Sequence, residues 1–240
     1  MAKTVVVLGA RNLGGAIIDH FLQLGWNAAG VARSEDTLAR VRDRGALAIA
    51  ADASDMESLG GALASVREQL GSVDAVVNAV TASRATGGGP FGGGELASAG
   101  LDAFSAWTVA VAEQAFVFLS TGLAALEQGG HGGALVQITG GSARRAMPGR
   151  GLWAAGAFAA RALVQAAAQE VRAVGIHVAL LAVDATIESP KTSAFTAGQP
   201  REALAEMGEI AKAVAWLVEQ GSRGYTHELV VTPAGERWVP

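Results

Sequence analysis

The sequence has no cysteine and only one tyrosine, Tyr225, in 240 residues. A disulfide framework, a thiolate metal site and a cysteine nucleophile are thereby excluded, while the redox compartment stays undetermined. The four histidines, His20, His131, His177 and His227, stand apart without metal-ligand spacing, so no metal site is expected. Basic residues form no cluster and the formal charge is -4, which argues against nucleic acid as a partner. Hydrophobic residues make up 50% of the chain, yet no uninterrupted apolar run approaches the roughly 20 residues of a membrane span. Met1-Ala-Lys-Thr4 has no signal-peptide layout. The expectation is a soluble, cytoplasmic chain without a membrane partner, its length suiting one domain over 1–240.

What is present is alternation. Short β-branched or small apolar runs, Val5–Leu8, Ala28–Val31, Leu47–Ala50, Ala75–Asn78, Ala134–Ile138, His177–Val183 and Glu228–Val231, read as strands. Between them Ile17–Leu24, Leu38–Arg44, Met56–Leu70, Phe104–Leu126, Gly151–Ala173 and Glu202–Glu219 read as helices. Continuous apolar strands separated by helices predict an α/β fold, a doubly wound seven-stranded parallel sheet of the Rossmann kind. Two stretches fit neither period. A glycine-rich loop over 81–100 contains Thr86–Gly94, in which Pro90 and Phe91 are the only sizeable side chains, and it is expected to be mobile and to lie over a ligand or to be a plain insertion. Residues 184–200 follow the sixth strand, at the end where open sheets bind ligands, and read as a substrate lid or a simple connection.

Gly9-Ala-Arg-Asn-Leu-Gly-Gly15 follows the first strand and opens the first helix. Small residues let the backbone approach an anion, and the unpaired N–H groups of a helix start attract it. Asp52, at the end of the third strand, can accept a hydrogen bond from an adenine amino group or cap a helix, a role Ser54 or Asp55 can also fill. Asn78 ends the fourth strand, where its amide ties neighbouring strands together or merely terminates the strand.

These elements, in this order, resemble the short-chain dehydrogenase/reductase family along essentially the whole chain. The resemblance implies cofactor contacts from Gly9, Arg11, Asn12, Leu13 and Gly15 in the turn, with Leu13 standing where the middle glycine is usual. It implies further contacts from Asp52 with Ala53, from Asn78, and from Ile187 and Ser189 near the nicotinamide. An NAD site needs a carboxylate at the tip of the second strand for the ribose 2′-OH, whereas a 2′-phosphate needs cations. Val31-Ala-Arg33 offers no acid there, and Arg33 with Arg11 can fork a phosphate. NADP(H) is expected over NAD(H), with solvated arginines as the alternative.

The family's proton chemistry uses a serine, a tyrosine and a lysine, which the resemblance places at Gly140, Trp153 and Ala157. An indole N–H only donates and does not titrate usefully, so Trp153 can stack on or orient a ligand but cannot shuttle a proton. Losing a general acid costs about 10²- to 10⁴-fold in rate. The family's asparagine falls at Glu113, or at Val111 under a two-residue shift. Substitutes that could ring the pocket are Glu113, Thr139, Ser142, Trp153 and Asp184, with Arg144, Arg145, Glu188 and Lys191 nearby, although surface or capping roles compete for each. Tyr225 lies before the last strand and is expected at the periphery. The alanine-rich Gly151–Ala173 wants burial on most of its circumference, and a homodimer or homotetramer through 104–126 and 151–173 is expected. Three functions follow: an NADP(H)-binding oxidoreductase with a degenerate site, a cyclase, isomerase or lyase reusing the pocket, or a cofactor-binding pseudoenzyme that partners an active homologue.

Overall fold

Thr4–Leu8 (β1) is apolar after its first residue and buried at every position, as a strand covered on both faces must be. The computed structural model describes residues 2–80, 90–236 and 238. Each strand there leads into a helix: α1 (Leu13–Gln23), β2 (Asn27–Ala32), α2 (Glu35–Asp43), β3 (Leu47–Ala50), α3 (Met56–Leu70) and β4 (Ala75–Asn78). A short α4 (Leu101–Phe104) and a π-helical turn (Ser105–Val109) run into α5 (Ala110–Gly129), then β5 (Gly133–Gly140), α6 (Gly151–Val171) and β6 (Ile176–Val183). The chain ends with β7 (Thr186–Ile187), α7 (Ser193–Thr196), β8 (Leu204–Ala205), α8 (Met207–Val218) and β9 (Glu228–Val231). Seven strands form one parallel sheet in the order β3-β2-β1-β4-β5-β6-β9. The order reverses between β1 and β4, which opens the crevice where such sheets take ligands.

Two apolar layers cover the sheet. On one face Leu59, Leu63, Phe118, Leu126, Val164 and Ala168 bring α3, α5 and α6 onto Val6, Val76 and Leu135. On the other, Ile17, Ile18, Phe21, Val41, Ile210 and Val214 bring α1, α2 and α8 onto Val5, Val7, Val77 and Leu181. Leu101–Gly129 is long and apolar enough to cross a membrane, with a mean hydropathy of 1.6 in its most apolar window. Here Gln114, Ala115, Val117, Phe118 and Leu119 of that stretch are buried in the fold.

The differences from the sequence reading lie at element ends. Helix α1 starts at Leu13 rather than Ile17, because glycines carry no apolar period. Helix α2 starts at Glu35 rather than Leu38, behind an all-polar first turn. The last helix starts at Met207 rather than Glu202, since Arg201–Ala203 is a 3-10 turn and β8 pairs with β7. The stretch 184–200 is therefore not wholly irregular: it carries β7 and α7, and the Thr192 hydroxyl donates to the Ile187 carbonyl at 2.6 Å. Of the glycine-rich loop expected over 81–100, residues 81–89 lie outside the described residues.

Candidate functional site

The crevice begins at the turn between β1 and α1. Gly9 takes φ +79°, and a Cβ there would lie 2.9 Å from the Ala79 carbonyl oxygen on the neighbouring strand exit. A Cβ at Gly14 would lie 2.4 Å from the Gly9 oxygen. Gly14, not Leu13, is thus the glycine that lets the helix close on the turn. Asn12 precedes α1 without a side-chain cap, and no acidic residue occupies the first helical turn. The positive end of the helix is answered by nothing in α1 itself, which suits an anion. Arg11 is exposed in the turn, and Leu13 is half-buried at the helix start. Gly15 is buried, with the Arg44 guanidinium beside it, 2.9 Å from Asp19.

The ends of β2 and β3 carry the next pair. Arg33 approaches Asp52 at 3.4 Å, with Arg33 exposed and Asp52 half-buried. The Asp52 carboxylate also accepts from the Ser54 hydroxyl at 2.6 Å and the Ser54 N–H at 2.9 Å. These bonds, then the nearby Arg33 charge, hold its carboxyl below the usual carboxylate range. Asp55, not Asp52, caps α3, accepting from the Ser58 N–H at 2.8 Å. Ala53 packs into the core beneath.

Asn78 is fully buried, and its amide ties β4 to its neighbours, one of the two roles expected for it, through partners the sequence reading did not name. Its Nδ2 donates to Gln114 Oε1 at 3.0 Å and Gln137 Oε1 at 2.8 Å. Its Oδ1 accepts from Gln114 Nε2 and the Val80 N–H, both at 3.1 Å. The residue of α5 that faces the strand ends is therefore Gln114, while Glu113, the nominated position, points to solvent. The signal was a glutamine in an otherwise apolar helix face, which buries only if it is paired.

At the end of β5 the structure brings Gly140 and Trp153 together. A Cβ at Gly140 would touch the indole at 3.6 Å, so the tryptophan covers the strand end. Ala157, one turn further along α6, is 1% exposed. Thr139 is half-buried on β5, and Ser142 is buried in the turn after it. Among these residues only Thr139 and Ser142 carry exchangeable side-chain protons besides the indole, and neither hydroxyl titrates near neutral pH.

Asp184 lies beside them. Its Oδ1 would be 1.8 Å from a Cβ at Gly141, so the carboxylate occupies the space that glycine leaves. The side chain is buried, Oδ2 has no hydrogen-bond partner among the described residues, and the Arg145 guanidinium stands 3.5 Å from it. Arg145 in turn stacks on Trp238 at 4.2 Å. Arg144 is paired with Glu228 of β9, which also receives Arg161 Nε at 2.9 Å, so Arg144 is structural. Glu188 faces Arg201 on the surface. Ile187 pairs with Ala205, and the Ser189 N–H donates to Thr192 Oγ1 at 3.0 Å. The cleft of about 690 Å³ between 188–208 and α1 includes Ser189, Ser193 and Arg201 in its wall. Tyr225 is peripheral, stacked on His177 at 4.2 Å. Among the described residues no three His, Cys, Asp or Glu side chains group as a metal would require.

Comparison with known proteins places this geometry. The family model for short chain dehydrogenases matches residues 3–197, and the chain belongs to that family. No curated protein sequence matches it closely enough to count as a relative. Among solved structures it is similar to an alcohol dehydrogenase from Thermococcus sibiricus complexed with 5-hydroxy-NADP, at 24% identity and TM-score 0.79 over all of both chains. A short-chain type dehydrogenase/reductase from Mycobacterium ulcerans superposes with TM-score 0.83 at 19% identity, over 97% of this chain and 89% of that one. A 3-ketoacyl-(acyl-carrier-protein) reductase from Brucella melitensis, complexed with NADH, gives 0.79 at 20% identity over 97% of each. The doubly wound fold is shared with all three.

Proposed function

We propose that this protein binds NADP(H) in the β1/β4 crevice and does not carry out carbonyl reduction by the proton relay of its family. The observation that carries the first half is the turn: the cradle at Gly9 and Gly14 is one that any Cβ would fill, before a helix start free of acid or cap. Residues Gly9–Gly15 would hold the pyrophosphate, Asp52 the adenine, and Ile187 and Ser189 the carboxamide. Arg33, whose exposed pair with Asp52 is worth about 0–1 kcal/mol, is free to turn to a 2′-phosphate, with Arg11 opposite. The dehydrogenase from Thermococcus sibiricus, solved with an NADP derivative, supports the same choice. When bound, the cofactor supplies a hydride donor or acceptor. The second half rests on Trp153 against Gly140 and on buried Ala157, which leave no titrating acid and no fixed cation at the family positions.

Titration of NADPH with the protein, read by nucleotide fluorescence, tests the reading. Saturable enhancement is expected, and no change at millimolar cofactor overturns it. One observation favours a second reading, non-redox proton chemistry: the Asp184 carboxylate is buried in the space left at Gly141, with Oδ2 accepting no hydrogen bond among the described residues and the Arg145 guanidinium 3.5 Å away. Isomerase or lyase turnover without cofactor, abolished in Asp184→Asn, is its expected outcome; turnover that survives the change removes it. Assembly as a homodimer or homotetramer is part of the proposal, supported by exposed Phe116 on α5 and Phe158 on α6. A monomer in light scattering would remove that part.

A further inference from the structure

Beyond β9 the chain turns back over the strand ends as a short strap, residues 232–238. Pro233 to Glu236 is a tight turn, closed by the Glu236 N–H on the Pro233 carbonyl at 3.0 Å, and the Trp238 N–H donates to the Glu236 carboxylate at 3.2 Å. Both ends of the strap are pinned to the end of the sheet. At its start the Val231 carbonyl accepts from the Asp184 N–H at 3.0 Å. At its far end the Trp238 ring covers the Arg145 guanidinium at 4.2 Å, a cation over the negative face of an indole. Arg145 is itself fixed there: its N–H donates to the Gly141 carbonyl at 3.1 Å, and its guanidinium stands 3.5 Å from the buried Asp184 carboxylate.

The middle of the strap rests on a part of the chain that is held far more loosely. The Gly235 N–H donates to the Glu202 carbonyl at 2.7 Å, and a Cβ at Gly235 would lie 2.8 Å from that oxygen and 3.1 Å from the Ala203 nitrogen. Glu202 belongs to the excursion 188–203, which leaves the fold at β7 and returns at β8. Its base is the two-residue pairing of those strands, extended by the Glu188 N–H on the Ala205 carbonyl at 2.9 Å. Above the base the ties are local: Thr192 bonds to Ile187 and Ser189, Gln199 reaches Phe195, and Arg201 faces Glu188. Phe195 is 76% exposed. Among the described residues, the one hydrogen bond from 188–203 to a segment beyond β7 and β8 is that of Glu202 with Gly235. A segment held so sparsely opens at low free-energy cost, so a strap pinned on both sides of Gly235 governs where it lies.

We infer that Trp238 is a positioning residue: its ring, stacked on Arg145, clamps the strap to the sheet end, and the strap holds the excursion 188–203 at its distance from α1. Ser189 and Ser193 of that excursion line the cleft against α1. The inference deepens the proposed function and rests on its assignment of Ile187 and Ser189 to the carboxamide. The clamp then acts on the nicotinamide end of the cofactor and leaves the adenine end, at β2 and β3, untouched. Trp238 meets neither cofactor nor substrate, and its effect passes through Gly235 and Glu202.

The test compares the full chain with Trp238→Ala, Trp238→Phe and Gly235→Ala. Without nucleotide, amide hydrogen exchange over 188–203 should quicken about fivefold in Trp238→Ala, the worth of one cation–π contact, while β5 and β6 keep their protection. Trp238→Phe should restore most of it, because the ring face is kept, and Gly235→Ala, which forces the turn off Glu202, should quicken the same segment. NADPH, read by fluorescence, should bind Trp238→Ala about fivefold more weakly. Adenosine 2′,5′-bisphosphate, which lacks the nicotinamide, should bind all four proteins equally in calorimetry. Exchange that is unchanged over 188–203, or quickened as much in β5 and β6, overturns the inference, and so does equal loss of the two nucleotides. NADPH bound equally well by every variant overturns the positioning role alone. No NADPH binding to the unaltered chain overturns the cofactor reading, and the role toward the nicotinamide with it.

Discussion

The β1–α1 turn and the β5–α6 segment sit at the same end of the sheet, and they differ in what carries their function. In the turn, the proposed anion site would be made by backbone N–H groups and the space left by Gly9 and Gly14, so almost no side chain would be needed. At β5–α6 the proposed reading has the family's function depend on three side chains, and the positions it gives them hold Gly140, Trp153 and Ala157. A backbone site persists as long as the fold does. A side-chain site can vanish while every element around it stays in place.

The hardest attempt to break this contrast is to restore the second region. Gly140→Ser has room, since its Cβ would meet the indole at an ordinary 3.6 Å. Combined with Trp153→Tyr and Ala157→Lys, it is expected to raise NADPH-dependent reduction of a carbonyl panel by about 10²- to 10⁴-fold, the worth of a general acid. No gain in a variant that still binds NADPH would mean that the two regions differ by more than three side chains. The converse attack is on the backbone. Gly14→Val puts a side chain 2.4 Å from the Gly9 oxygen and should weaken NADPH binding about hundredfold, as small displacements of positioning groups do. Retained affinity by fluorescence titration would show that the turn is not the anion site.

A smaller effect sharpens the cofactor side. Arg33→Ala should weaken NADPH by roughly ten- to hundredfold while leaving NADH nearly unchanged, because one charge-assisted bond to a phosphate is worth about 1.5–3 kcal/mol. Equal loss for both nucleotides would contradict the 2′-phosphate contact. The smallest effect lies outside both regions. Buried His177 has its two ring nitrogens against the Leu217 and Thr226 carbonyls, each at 3.0 Å. Burial, with the neighbouring His227, pushes its imidazolium pKa down, against those two carbonyls. The unfolded chain then binds more protons than the folded one. Stability from this site is full above about pH 6.5, the ordinary imidazole value, and declines as pH falls through it. Thermal unfolding of His177→Gln across that range should lose part of the slope, and an unchanged slope would assign it elsewhere.

The sheet was legible because its strands are apolar at nearly every position, which only a doubly covered strand tolerates. Leu47–Ala50, Ala75–Asn78 and Glu228–Val231 match residue for residue. Helix starts were not, because Leu13 follows glycines and Glu35–Thr37 carries no apolar stripe. Around the candidate site, the place of the turn between β1 and α1 and of Asp52 just beyond β3 was readable from spacing. Gln114 was not, because which residue of a helix faces inward depends on rotation, and the π-helical turn at Ser105–Val109 shifts that rotation. The Asp184–Arg145–Trp238 stack joins residues far apart in the chain, and no local pattern announces it.

The buried amides of Asn78, Gln114 and Gln137 have a consequence for the history of such a site. Carboxamides neither ionise nor react in any pH a cell meets, so the spacing they fix between β4, β5 and α5 is indifferent to what happens chemically a few ångströms away. The frame asks nothing of the reaction. A lineage could therefore exchange its acid for an indole, one substitution at a time, and never pass through an intermediate whose scaffold had come loose.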